Sequence, residues 1–196
     1  YGNFRVEKKL NKAQKKYISK VGISLYDNFY VEEPFDNGTT LRIFQTRQQV
    51  NTPCLMSGSI PIGTDQIAID RMYADNNGLT VGDILTSKGK NWTVSGLIAL
   101  PDYSALFQDN NDTMFDSLQF GVAIVPEESF AQFSEDRLFY SYSWLYDTPP
   151  KAEEQEKDMA EDVMTAVNQE ASLESFVPRY LNQAIRFTGD DMGGDR

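Results

Sequence analysis

At 196 residues the chain is long enough for one substantial core or two small lobes, and 40% hydrophobic content with 12% aromatics marks a folded globule rather than a disordered chain. A net charge of −11 argues against nucleic-acid binding, because most of the surface repels phosphate. The absence of histidine removes the usual general base, metal ligand and near-neutral switch, and a single cysteine, Cys54, excludes an internal disulfide or a cysteine-based zinc site.

The first 20 residues hold seven of the 18 basic residues against one acid, Glu7, a local balance of +6 that leaves −17 over the remainder. Val6, Leu10, Ala13, Tyr17 and Val21 recur at three- and four-residue steps, which predicts an amphipathic helix over 1–22 with a basic outer face. As function this is a helix rising from a membrane span, its lysines near anionic headgroups; as structure it is a solvated helix with one apolar stripe. Residues 23–35 read as extended, interrupted near Asp27-Asn28; Asn37-Gly38 supplies a tight turn and 40–46 pairs back. Cys54 reads as a small residue packed near Pro53 and Leu55.

From Ile60 to Leu100 the chain reads as one compact unit. Gln66 to Asp70 alternates as a strand, Asp70 caps a helix through Met72, Tyr73 and Ala74, and Asn77-Gly78 stops it. Leu79 and Val81 return to the core, Gly82-Asp83 turns the chain into strand 84–87, and Lys88-Gly89-Lys90-Asn91 turns it back into a strand presenting Trp92, Val94, Gly96 and Ile98 on one face. The loop 101–118, with Leu106-Phe107 and Met114-Phe115, reads either as a contact surface for partner or lipid or as a loop tucked onto the core. Residues 120–125 form a buried strand, and Pro126-Glu127-Glu128 opens a short helix. In 138–146, Tyr140, Tyr142, Trp144 and Tyr146 share one strand face, read as a half-buried sheet face or as a ligand surface. Pro149-Pro150 precedes an amphipathic helix over 151–169, striped by Met159, Ala160, Val163, Met164 and Val167; periodicity leaves 172–187 open between strand and helix.

Several motifs fail on inspection. Ser87-Lys88-Gly89-Lys90 matches the S-x-x-K pattern of serine acyl enzymes but falls in a hairpin turn and lacks the partner motifs. Gly82 with Gly89-Lys90 has the wrong spacing for a P-loop, and Asn91 stands where Ser or Thr is needed. Asp109 to Thr113 starts like a calcium loop but has Met114 where the turn glycine belongs, and Asp190-Asp191 reads as a solvated acidic tail. Asn37, Asn91 and Asn111 sit in N-x-[ST] sequons. The acids lie in polar loops or on helix exteriors without an apolar setting that pairs two of them, so no catalytic, cofactor-binding or metal residue is assigned.

The order of elements in 60–100 resembles the extracytoplasmic domain of FtsX-like (MacB-like) ABC permeases. The residues that carry the resemblance are Gly63, Gln66-Ile67-Ala68-Ile69, Leu79-Thr80-Val81-Gly82-Asp83-Ile84 and Val94-Ser95-Gly96-Leu97. A weaker likeness adds 121–126 with its following helix and Pro178-Arg179-Tyr180-Leu181-Asn182-Gln183-Ala184-Ile185; Gln66 departs from the Glu often found in the family. The resemblance implies an α+β fold with mixed sheets, flanking helices and two subdomains: the basic helix 1–22 continuing from one membrane span, a MacB-like ectodomain over 23–187 with an insertion at about 61–118, and a linker 188–196 toward a following span. It implies a non-enzymatic, extracytoplasmic domain of a bacterial cell-membrane permease, without cofactor, coupling cytoplasmic ATP hydrolysis to handling of substrate or partner outside. Implied partners are the cytoplasmic ATPase subunit, a permease dimer or pseudo-dimer partner, and an extracellular peptide, lipid or cell-wall hydrolase. The alternatives are a freestanding extracellular binding protein with a pocket lined by 138–146, and an acid-dependent hydrolase. The permease reading also expects Tyr1 and Arg196 at one pole.

Overall fold

A computed structural model describes residues 1–48, 52–101 and 119–179 together with the backbone of Ile185–Arg186. The fold is α+β and divides into two units, the first made of Tyr1–Asn28 with Phe139–Arg196 and the second of Phe29–Leu138. The second unit is wider than the insertion expected at about 61–118.

The first unit is a five-stranded sheet backed by two helices. Its strands are β1 (Gly2–Val6), β2 (Ile23–Asp27), β10 (Tyr140–Tyr146), β11 (Leu173–Pro178) and β12 (Ile185–Arg186), in the order β12-β11-β1-β10-β2 and antiparallel throughout. The sequence-based helix over 1–22 is therefore corrected: its first third is a central strand. Gly2, Phe4 and Val6 are buried while Asn3 and Arg5 are partly exposed, a period of two that a strand satisfies and a helix does not. Only α1 (Lys12–Ser19) is helical, closed by a capping box in which Asn11 Oδ1 accepts from the Gln14 N–H and Gln14 Oε1 accepts from the Asn11 N–H. Its buried residue is Ile18; Tyr17 and Val21, assigned to the apolar stripe, are 39% and 38% exposed.

The long helix runs over Glu153–Glu170 and buries Ala160, Val163, Ala166 and Val167. It packs on α1 and β11, and Gln14 Nε2 donates to the Glu170 carbonyl at 2.8 Å. The aromatic face of β10 belongs to the core: Tyr142 stacks on Phe4 at 5.5 Å and Trp144 on Phe176 at 5.1 Å. Tyr142 Oη accepts from the Leu10 N–H at 2.9 Å, which anchors the segment leading into α1.

The second unit is a seven-stranded mixed sheet of β3 (Tyr30–Pro34), β4 (Thr40–Gln45), β5 (Cys54–Gly58), β6 (Gln66–Asp70), β7 (Ile84–Ser87), β8 (Lys90–Ala99) and β9 (Phe120–Val125). The order is β3-β4-β9-β6-β8-β5, with β7 also paired to β8; β4–β9 and β6–β8 are parallel. The run 23–35 thus feeds two different sheets, parting at Asn28. Central β9 is buried at every position, as a strand covered on both faces must be.

Helix α2 (Arg71–Asn76) follows β6 directly. Asp70 caps it by accepting from the Tyr73 N–H at 3.0 Å, and Tyr73 and Ala74 enter the core. A Cβ on Gly121 would lie 2.7 Å from Tyr73 Cβ and Cγ, so glycine on β9 is what lets α2 approach the sheet. Trp92, Val94 and Ile98 are buried as their parity requires, but Val81, expected in the core, is 42% exposed.

Candidate functional site

The two-residue turn between β7 and β8 has positive φ at both positions, Lys88 at 50° and Gly89 at 80°, the pattern of a type I′ hairpin. Lys at the first position is a costly choice, since a side chain in the left-handed region crowds its own carbonyl by roughly 1–2 kcal/mol. The turn carries Ser87, Lys88 and Lys90 toward the end of β3, the short helix α3 (Glu127–Phe130) and a 3₁₀ turn at Glu135–Arg137. Together they enclose a cleft of about 180 Å³, wholly inside the second unit.

Glu33 is the anchor of this cleft and is 4% exposed. Its carboxylate receives Arg137 Nη1 at 2.8 Å and the Ser87 hydroxyl at 2.6 Å, with Lys88 Nζ at 3.8 Å. Arg137 Nη2 also donates to the Glu32 carbonyl at 3.0 Å, which fixes the guanidinium in place. Burying a carboxylate without such donors costs several kcal/mol, so Glu33 is held as part of a charge-compensated network. Lys90 Nζ stands 4.0 Å above the Trp92 ring and donates to the Thr64 carbonyl at 3.3 Å; the Ser129 hydroxyl donates to the same carbonyl at 2.8 Å.

The S-x-x-K residues are therefore brought to a common cleft, although their arrangement is not that of an acyl enzyme. Ser87 and Lys90 face each other across the hairpin, and Ser87 is 3% exposed with Glu33 and the Pro34 carbonyl both at 2.6 Å from its hydroxyl. A hydroxyl that is buried against two acceptors is not presented to a substrate. Arg137 and Glu33 were not singled out in the sequence; the joining of residues 33, 87 and 137 is a long-range contact with no local signature.

The aromatics of 138–146 offer little surface to a ligand: Tyr142 and Trp144 are fully buried and Tyr140 and Tyr146 partly so. Cys54, expected to pack, lies instead on the exposed edge strand β5, with Sγ 3.9 Å from Met56 Sδ. The loop 102–118, the calcium-like Asp109 to Thr113, Asp190-Asp191 and Arg196 lie outside the described residues. Among the described residues no three His, Cys, Asp or Glu side chains gather to hold a metal ion, and no helix is long and apolar enough to cross a membrane.

A second place of interest is the end of the first sheet where β1 begins and β11 ends. β1 and β11 pair so that Gly2 faces Pro178, the Arg179 N–H donates to the Tyr1 carbonyl at 3.1 Å, and the Arg179 guanidinium stands 5.0 Å over the Tyr1 ring.

No protein-family model matches the chain. No curated protein matches it in sequence. Among solved structures it is similar to the extracellular domain of the noncanonic ABC-type transporter YknZ from Gram-positive bacteria, at 12% identity, covering 88% of this chain and 97% of that one, with a TM-score of 0.43. It is similar to the periplasmic region of MacB from Actinobacillus actinomycetemcomitans, at 10% identity, covering 88% and 85%, with a TM-score of 0.47. It is also similar to a domain assigned to a permease protein from Porphyromonas gingivalis, at 13% identity, covering 97% and 93%, with a TM-score of 0.43.

Proposed function

We propose that this chain is the extracytoplasmic domain of an FtsX-like ABC permease, a non-catalytic head held between two membrane helices. It passes motion driven by a cytoplasmic ATPase subunit to a substrate or partner outside the cell. The observation that carries this reading is that β8 pairs with both β6 and β7, and the Gly82 N–H donates to the Val94 carbonyl at 2.8 Å, so that the residues of the resemblance, Gly63, 66–69, 79–84 and 94–97, form one contiguous piece of the second unit. The remaining partners this function calls for are a second permease subunit and an external peptide, lipid or cell-wall hydrolase.

Cys54 supplies the test, because it is exposed in the folded chain. In intact cells expressing the parent protein, a membrane-impermeant maleimide is expected to label Cys54, with the label lost in Cys54→Ser. Labelling of Cys54 only after lysis would refute an extracytoplasmic location. A parent gene without apolar spans on both sides of these residues would refute the tethered head.

A further inference from the structure

The second unit is acidic, with fifteen Asp and Glu against six basic residues, yet three of those six, Lys88, Lys90 and Arg137, line one small cleft. Glu33 is the one acid among the lining residues, and its oxygens are already occupied by Arg137 and Ser87. Arg137 is committed to Glu33 and the Glu32 carbonyl, whereas the two lysines are not committed in this way. Lys88 is 63% exposed and reaches Glu33 only at 3.8 Å; Lys90 has a neutral carbonyl at 3.3 Å and an aromatic face, and no carboxylate partner among the described residues. Lys88 moreover occupies a left-handed position that asparagine or glycine fills more easily.

We propose that this cleft binds a phosphate monoester, with Lys88 and Lys90 as the charge-bearing contacts and Glu33–Arg137–Ser87 as the rigid floor. Two ammonium groups act as point charges without the planar fork of arginine, so they select by charge, and a phosphate dianion gains more from them than a carboxylate does. The cleft's 180 Å³ leaves room for the phosphate and part of its substituent, and Ser129 and Trp92 border that space. This inference is independent of the transporter reading and survives or fails separately from it.

The test is a titration of the 196-residue chain with inorganic phosphate, glycerol 3-phosphate, and acetate at matched ionic strength, followed by amide NMR shifts. Saturable shifts confined to the Lys88–Trp92 hairpin, Ser129 and Arg137 are expected with phosphate and not with acetate. Saturation by glycerol 3-phosphate as well identifies an esterified phosphate such as a lipid headgroup, while saturation by inorganic phosphate alone overturns the monoester and leaves a free-anion site. Lys88→Asn is the decisive variant: it suits the turn, so folding is retained, and affinity is expected to fall about tenfold. Equal shifts with acetate, or binding unchanged in both Lys88→Asn and Lys90→Ala, would overturn the proposal.

Discussion

Replacing Arg137 by Met tests whether the floor of the cleft is a cooperative unit. The substitution removes the 2.8 Å bond to Glu33 and the 3.0 Å bond to the Glu32 carbonyl, and leaves a carboxylate in a site that is 4% exposed. Breaking a buried ion pair by removing one partner costs about 3–5 kcal/mol. Arg137 itself is 30% exposed, so water reaches the vacated space, and Ser87 and Lys88 still face the carboxylate; both lower the expectation to about 2–3 kcal/mol. Glu33→Gln/Arg137→Met, which removes both charges, is expected to recover at least about 1 kcal/mol of that loss, because no uncompensated charge stays buried. Urea unfolding followed by fluorescence measures this, since Trp92 reports the second unit and Trp144 the first, and both are buried. A loss under about 0.5 kcal/mol, or a double variant as unstable as the sum of the singles, would show that Glu33 and Arg137 do not act as a pair.

Burial raises the Asp70 carboxyl above its ordinary 3.8, against the opposing hydrogen bonds from the Tyr73 and Met72 amides. The folded state then holds that proton more readily than the unfolded chain, so Asp70's contribution to stability is greatest at low pH and is lost as pH rises through its raised folded value. Asp70→Asn keeps a capping acceptor without the charge: its Tm is expected to exceed the parent's at pH 7 and to equal it below pH 3.8, while Asp70→Ala loses about 1 kcal/mol below pH 3.8 and less at pH 7, read by thermal unfolding. Gly121→Ala is expected to destabilise by about 1–3 kcal/mol in urea, because the added methyl meets Tyr73 at its Cβ and Cγ, which cannot swing away. Asn11→Ala is expected to cost about 1 kcal/mol through loss of the capping box, and Asn11→Asp to restore most of it in the same assay.

Where local signals govern, the sequence was legible. β6 and β9 follow the boundaries that alternation and continuous apolarity predict, Asp70 caps α2 as its position implies, and the turn expected over 88–91 joins β7 to β8, tighter than expected because Lys90 and Asn91 already pair in β8. Errors arose where two periods overlapped or where no period existed. Val6 and Leu10 fit a helical stripe continuing to Tyr17, and that hid the shorter alternation of Gly2, Phe4 and Val6. β5 is exposed at all five positions, so Cys54 to Gly58 carries no alternation to read; its strand character comes from pairing with β8 at the sheet edge. The cleft was legible only in part: its turn and two lysines lie together in sequence, whereas Glu33 and Arg137 are about a hundred residues apart and meet only because β3 ends beside the 3₁₀ turn. Charge composition gave no hint of it, since the basic cluster that composition showed lies in the first 20 residues.

The register of the first sheet orders its openings along one direction. Gly2 on β1 is level with Trp144 and Pro178, while Val6 at the other end of the same strand is level with Tyr140 and Leu173. Tyr1 and Arg179 therefore meet at one end of these strands, and Asn28 and Ser141 meet at the other, the Asn28 N–H donating to the Ser141 carbonyl at 2.9 Å. Four strand steps, from Gly2 to Val6, separate the two ends by about 13 Å. β1 is hydrogen-bonded on both sides, to β11 and to β10, and β10 in turn to β2. β1 is thus held by both neighbours, and its Phe4 packs against Tyr142 and Trp144. The hold on β1 comes from pairing and aromatic packing within one sheet, where a helix over 1–22 was expected.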